Sequence, residues 1–175
     1  MTPAETLAVM PAARERAALY APFLTEAMRE YGITTAQRQA AFLAQVAHES
    51  GSLRYSREIA DGSAYEGRAD LGNTQPGDGV RFAGRGLLQV TGRANYARCA
   101  QALNMPLLEQ PSLLEAPAAG CLASAWWWRE HGCNELADAD KDQRAFINAL
   151  KLYRWKADLK PPETKGPRIK FGGRR

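Results

Sequence analysis

From Gly51 to Ala83 the chain runs through a long stretch rich in Gly, Asp, Asn and Pro, set between segments whose apolar residues recur at helical spacing. The stretch is too polar to form core, so it must travel over the surface, and long excursions of this kind inside one domain usually carry function. Upstream, Leu19, Phe23, Ala27 and Tyr31 predict a helix over Ala12–Tyr31, stopped by Gly32. Thr34 with Gln37 reads as a capping box for the next helix, from Thr35 to Ser50, closed by Gly51. Downstream, Gly86–Thr91 reads as a short strand and Arg93–Leu103 as a helix. Ala118–His131 reads as a buried helix bearing Trp126, Trp127 and Trp128, with at least two of the rings in the core and one at the cleft. A last amphipathic helix is expected over Asp138–Leu150. The expected class is α+β, mostly α-helical, with a small strand-and-loop lobe between the helices.

Length and charge narrow the rest. The 175 residues suit one domain with a core that needs neither metal nor disulfide. Cys99, Cys121 and Cys133 make an odd count without close pairs, which fits a reduced cytoplasmic protein. Met1-Thr2-Pro3-Ala4-Glu5 has no basic region leading into an apolar run, so no secretory signal is expected. No apolar stretch approaches the roughly 20 residues of a membrane span. The net charge of +4 is uneven: residues 151–175 hold nine Lys or Arg against Asp158 and Glu163, while residues 1–150 carry 14 basic and 17 acidic side chains. The division is therefore residues 1–150 as the folded unit and 151–175 as an atypical basic tail. Charge alone leaves nucleic acid, anionic lipid and an anionic cell envelope open as partners of that tail.

Two carboxylates stand out. Phe42, Val46 and Glu49 follow each other at i, i+4 and i+7, so Glu49 shares a stripe with apolar residues in the last turn of its helix. Partial burial and the negative helix end both disfavour the charged form there, which suits a general acid. A boundary glutamate paired with Arg54 or Arg57 is the competing reading. Glu58 lies nine residues on, in an alternating segment that, if extended, turns it back toward the Glu49 helix. Carboxylates about 6.5–9.5 Å apart leave room for a water in inverting glycoside hydrolysis. Gln89 and Thr91 would share one face of the strand, Thr91 to help hold that water and Gln89 to meet a sugar. His48-Glu49 is not followed by His at position 52, and Cys121, His131 and Cys133 lack a fourth ligand, so neither pattern makes a zinc site.

Taken in order, Phe42-Leu-Ala-Gln-Val-Ala-His-Glu-Ser50, Glu58, Tyr65-Glu-Gly-Arg68, Leu71-Gly-Asn-Thr-Gln-Pro-Gly-Asp-Gly79, Arg81-Phe-Ala-Gly-Arg-Gly86 and Gln89-Val-Thr-Gly-Arg-Ala-Asn-Tyr96 resemble glycoside hydrolase family 19. Within it, they look like the phage and prophage endolysin branch. The resemblance spans about residues 10–150. It implies a lysozyme-like fold, with helices around a groove flanked by a small β lobe, and an inverting mechanism without metal or cofactor. Glu49 matches the family's acid, Glu58 its base and Thr91 its water-positioning hydroxyl. His48, Tyr65, Arg68, Gln89, Asn95 and Tyr96 match substrate-binding positions. The implied substrate is the peptidoglycan glycan strand and the implied place of action is the cell wall. The protein would reach it from the host bacterial cytoplasm by holin-type release, as a monomer without a nucleic-acid partner. Chitin is the alternative substrate. A glycan-binding module weakened in catalysis is the alternative role, because the match lapses after Leu150, where family members continue into an Arg-rich helix and an Asn-Gly-Gly segment. A frameshifted or replaced C-terminus, possessing little order, would account for both that lapse and the charge jump, and would leave the basic tail free to contact an anionic envelope.

Overall fold

A computed structural model describes residues 1–139. The basic tail and nearly all of the helix expected over Asp138–Leu150 lie outside the described residues. The described part is mostly helical, as expected. Seven α-helices follow in chain order: α1 (Pro3–Val9), α2 (Arg16–Glu30), α3 (Ala36–Glu49), α4 (Asp78–Arg81), α5 (Arg93–Leu103), α6 (Pro117–Glu130) and α7 (Cys133–Ala139). None is long and apolar enough to cross a membrane.

Helix α6 is the hub. Small residues Ala119, Gly120, Ala123 and Ala125 let neighbours approach closely, and its apolar residues face two clusters. One cluster joins α2, α3 and α7, with Trp128 edge-on to Phe42 at 5.4 Å between ring centroids. The Trp128 indole N–H donates to Asn134 (3.0 Å), whose amide donates to the Tyr31 carbonyl (3.0 Å). The other cluster gathers Phe82, Val90, Tyr96, Cys99, Leu107 and Leu114 around Trp126. Trp126 and Trp128 are therefore core, while half-buried Trp127 stacks on His131.

Two local features depart from the sequence expectation. The cap of α3 is Thr35, whose hydroxyl accepts from the Arg38 N–H, in place of a box between Thr34 and Gln37. The expected strand Gly86–Thr91 is a turn. Leu87 and Leu88 are neighbours and both are buried, which a strand with alternating faces cannot arrange. The chain instead folds over from Arg85 to Val90, closed by paired backbone hydrogen bonds of 3.1 and 2.8 Å, with Gln89 in the left-handed region (φ 58°). Among the described residues, the pairing beside the helices consists of two antiparallel bridges, Arg57 with Arg85 and Arg85 with Val90.

The polar excursion is pinned by its own side chains. Glu66 accepts from the N–H groups of Gly77 (2.6 Å) and Gly79 (2.8 Å). Buried Asn73 donates to the Tyr65 carbonyl and accepts from Arg93 N–H. Asp78, 1% exposed, takes the Arg93 guanidinium on both oxygens and the Gln75 N–H besides. Arg93 chiefly holds the Asp78 carboxyl below the usual carboxylate range. Its contribution to stability is thus present above the unfolded carboxylate value of about 4 and is lost as pH falls through the lower folded value. Asp78→Asn should lower the melting temperature at pH 7, and the gap to wild type should close progressively below about pH 4. A gap independent of pH, in thermal melts from pH 2 to 7, would count against the pair.

Candidate active site

Glu49 is the last residue of α3 and is half-buried. Gln45, one turn earlier and 5% exposed, donates from Nε2 to Glu49 Oε1 at 3.0 Å. Among the described residues Arg54 and Arg57 form no ion pair with Glu49. Past the helix the backbone turns left-handed three times in succession, at Gly51 (φ 57°), Ser52 (59°) and Leu53 (66°). That conformation costs a non-glycine residue about 1–2 kcal/mol. It is held by burial of Leu53 and by Ser50, whose hydroxyl accepts the Leu53 N–H (2.8 Å) and donates to Val46 O (2.6 Å). The tight reversal brings the chain back as an extended segment within a few residues.

That segment carries Glu58. Its N–H donates to Gly84 O (3.0 Å), and Ser56 O accepts from Gly86 N–H (2.9 Å), so residues 56–58 lie antiparallel to 84–86. Both carboxylate oxygens are engaged. Oε1 accepts from the Gly84 N–H, and Oε2 accepts from the Tyr65 hydroxyl at 2.9 Å. The turn after Arg85 carries Gln89 and Thr91 to the same place. A methyl group on Gly84 would lie 2.7 Å from Gln89 Oε1, 3.1 Å from Thr91 Oγ1 and 3.3 Å from Glu58 Oε1. Thr91 donates its hydroxyl to Gln89 O (2.9 Å), and Asn95 donates to Thr91 O (2.8 Å).

The structure thus gathers two hydrogen-bonded groups around Gly84, Glu58 with Tyr65 and Gln89 with Thr91 and Asn95, with Glu49 and His48 at the end of α3. Gln89 and Thr91 do converge, through a turn and not through the strand expected for them. Arg68 is held by Asp70 through two contacts of 2.8 and 2.6 Å. Tyr96 requires a correction. It is fully buried, its hydroxyl donates to Ala83 O (2.8 Å) and accepts from Arg85 Nη1 (3.0 Å), and so it supports the floor of the cluster from beneath instead of facing a substrate. Burial pushes its phenol up to about 12, which keeps the proton that makes the bond to Ala83. Sequence reasoning missed Gln45, although its i, i+4 spacing to Glu49 signals the contact. It also missed Gly84, which no spacing rule picks out.

A family model described as class I chitinase matches residues 16–137. The chain belongs to glycoside hydrolase family 19. A family 19 domain-containing protein of Haemophilus influenzae is 27% identical over 161 residues, covering 70% of this chain and 80% of its own length. Endochitinase At2g43610 of Arabidopsis thaliana is 36% identical over 108 residues, or 61% of this chain and 37% of the plant protein. The chain spans about a third of the length of the plant endochitinases it matches. Chitinase C from Streptomyces griseus shares the fold, with a TM-score of 0.57 at 22% identity over 93% of this chain and 78% of that one.

Proposed function

We propose that this family 19 chain hydrolyses β-1,4 glycosidic bonds of bacterial peptidoglycan by an inverting mechanism. Glu49 gives its proton to the glycosidic oxygen as the bond to the anomeric carbon breaks. A water beside Thr91 attacks that carbon from the opposite face and passes its proton to Glu58. One new C–O bond replaces the one cleaved, and the proton lost by Glu49 is matched by the one Glu58 gains. The observation that carries this reading is the fixed carboxylate of Glu58, gripped on both oxygens, with a threonine hydroxyl and an amide oxygen gathered next to it.

Peptidoglycan is favoured over uncharged chitin by Arg54 and Arg57. Both are exposed on the segment linking the two glutamates and neither has a carboxylate partner among the described residues. Stem peptides offer such carboxylates. Chitin is the second reading, supported by the identity to plant endochitinases. Action as a monomer released from a host cytoplasm through a holin-type pore belongs to the peptidoglycan reading, with the basic tail aiding attachment to an anionic envelope. Incubation with purified sacculi and with chitin, followed by mass spectrometry of the soluble products, should yield muropeptides from the sacculi. Products from chitin alone would overturn the choice of substrate.

A further inference from the structure

Nine of the described glycines that shape the chain adopt positive φ, where glycine is the natural occupant. Gly79, Gly84 and Gly120 do not, so their backbones would accept any residue and the reason for glycine must be space. At Gly79 and Gly120 the added methyl would strike backbone: Glu66 N at 2.6 Å and Leu114 O at 2.9 Å. Those two are glycines for packing. At Gly84 the three nearest atoms are all side-chain oxygens, of Gln89, Thr91 and Glu58. The space at Gly84 is therefore bounded by the side chains of the site and not by backbone.

We propose that Gly84 is a positioning residue, kept without a side chain so that the attacking water can sit over its α-carbon between Glu58, Thr91 and Gln89. The inference rests on the hydrolytic reading above. The three oxygens are also alike in hydrogen-bond character. Glu58 Oε1 is a carboxylate oxygen, Gln89 Oε1 is an amide oxygen, and Thr91 Oγ1 already spends its proton on Gln89 O. Gln89 Oε1 is buried and has no hydrogen-bond partner among the described residues. A water among acceptors must point its hydrogens at them, one toward Glu58 and one toward Gln89 or Thr91. Its lone pairs are then left facing away from those acceptors, which is the orientation a nucleophile needs. Gly84 contributes twice more, since its N–H holds Glu58 Oε1 and its carbonyl takes the Glu58 N–H. One residue therefore sets the base and clears the place beside it.

The test is Gly84→Ala in the full chain. Its methyl would meet the end of the Gln89 side chain first, where one hydrogen bond to Gly86 O (2.8 Å) must give, and its backbone φ suits alanine, so the variant should fold with a melting temperature within about 4 °C of wild type. Displacing a reactant by about 1 Å costs on the order of 100-fold, so kcat on the cleaved polymer should fall about 100-fold while KM stays within about threefold. A kcat near wild type would overturn the proposal. So would a loss of kcat matched by a proportionate loss of folded protein, the signature of a purely structural glycine. A high-resolution crystal structure of the wild-type protein gives a readout independent of turnover. Ordered water bridging Glu58 and Gln89 supports the proposal, and a wild-type site without it overturns it. Should the wild type cleave neither sacculi nor chitin, the hydrolytic reading falls, and that crystallographic result still decides the role of Gly84.

Discussion

Glu49→Gln should lower kcat by about 10²–10⁴-fold while leaving glycan binding and the melting temperature close to wild type, and Glu58→Gln should do the same for a different reason. Glutamine keeps the shape of the side chain and an oxygen for the contacts now made: Gln45 can still donate to position 49, and Gly84 N–H can still donate to position 58. What each variant loses is the capacity to give or take a proton. The two losses separate by substrate. An aryl glycoside whose leaving group departs without protonation bypasses the acid, so it should restore much of the turnover of Glu49→Gln. It should do nothing for Glu58→Gln, where no base remains to deprotonate water. Product anomers read by NMR should show inversion in the wild type. Equal rescue of both variants, or a retained anomer, would remove the acid–base assignment.

Sequence periodicity reached the helices and the placement of Glu49 but not the floor of the site, and the division has a physical basis. Glu49 was legible because a helix places i, i+4 and i+7 on one stripe, so a polar residue there is conspicuous. The extension of residues 56–58 was legible from alternation, and it is what aims Glu58. Gly86–Thr91 misled because two adjacent leucines look like a strand's apolar run, whereas both are buried in one cluster with Cys121, Ala125 and Trp128 of α6, which a turn allows and alternating strand faces do not. Tyr96 misled because a matched motif position says nothing about depth. Helix α1, with Thr2 and Glu5 forming a complete capping box, and helix α7 both escaped notice. Helix α1 is seven residues long, too short for periodicity to speak, and α7 is described only as far as Ala139. Asn73 and Asp78 are ordinary loop residues by composition, and only the fold reveals them as the pins between the excursion and α5.

Arg85→Leu should be the most destabilising single change near the site, lowering stability by about 3 kcal/mol and the melting temperature by roughly 6–12 °C. Arg85 is 6% exposed, and its guanidinium serves four partners. Nε donates to Glu115 Oε1 at 2.8 Å, and Nη1 donates to Arg81 O (2.9 Å), Ala83 O (3.1 Å) and the Tyr96 hydroxyl (3.0 Å). Removing it takes a donor from all four acceptors at once, although Ala83 O keeps the Tyr96 hydroxyl. Glu115, about a third exposed, can turn to water, which holds the expected loss at the lower end for a broken buried pair. Arg85→Lys should recover only part of the loss, since one ammonium cannot copy a planar fork that reaches four acceptors. The effect should also pass to catalysis, because Arg85 is the residue that bridges both Arg57, beside Glu58, and Val90, beside Thr91. A leucine variant that melts within about 2 °C of wild type would show that hydrophobic packing replaces the network at no net cost, as happens for some buried ion pairs.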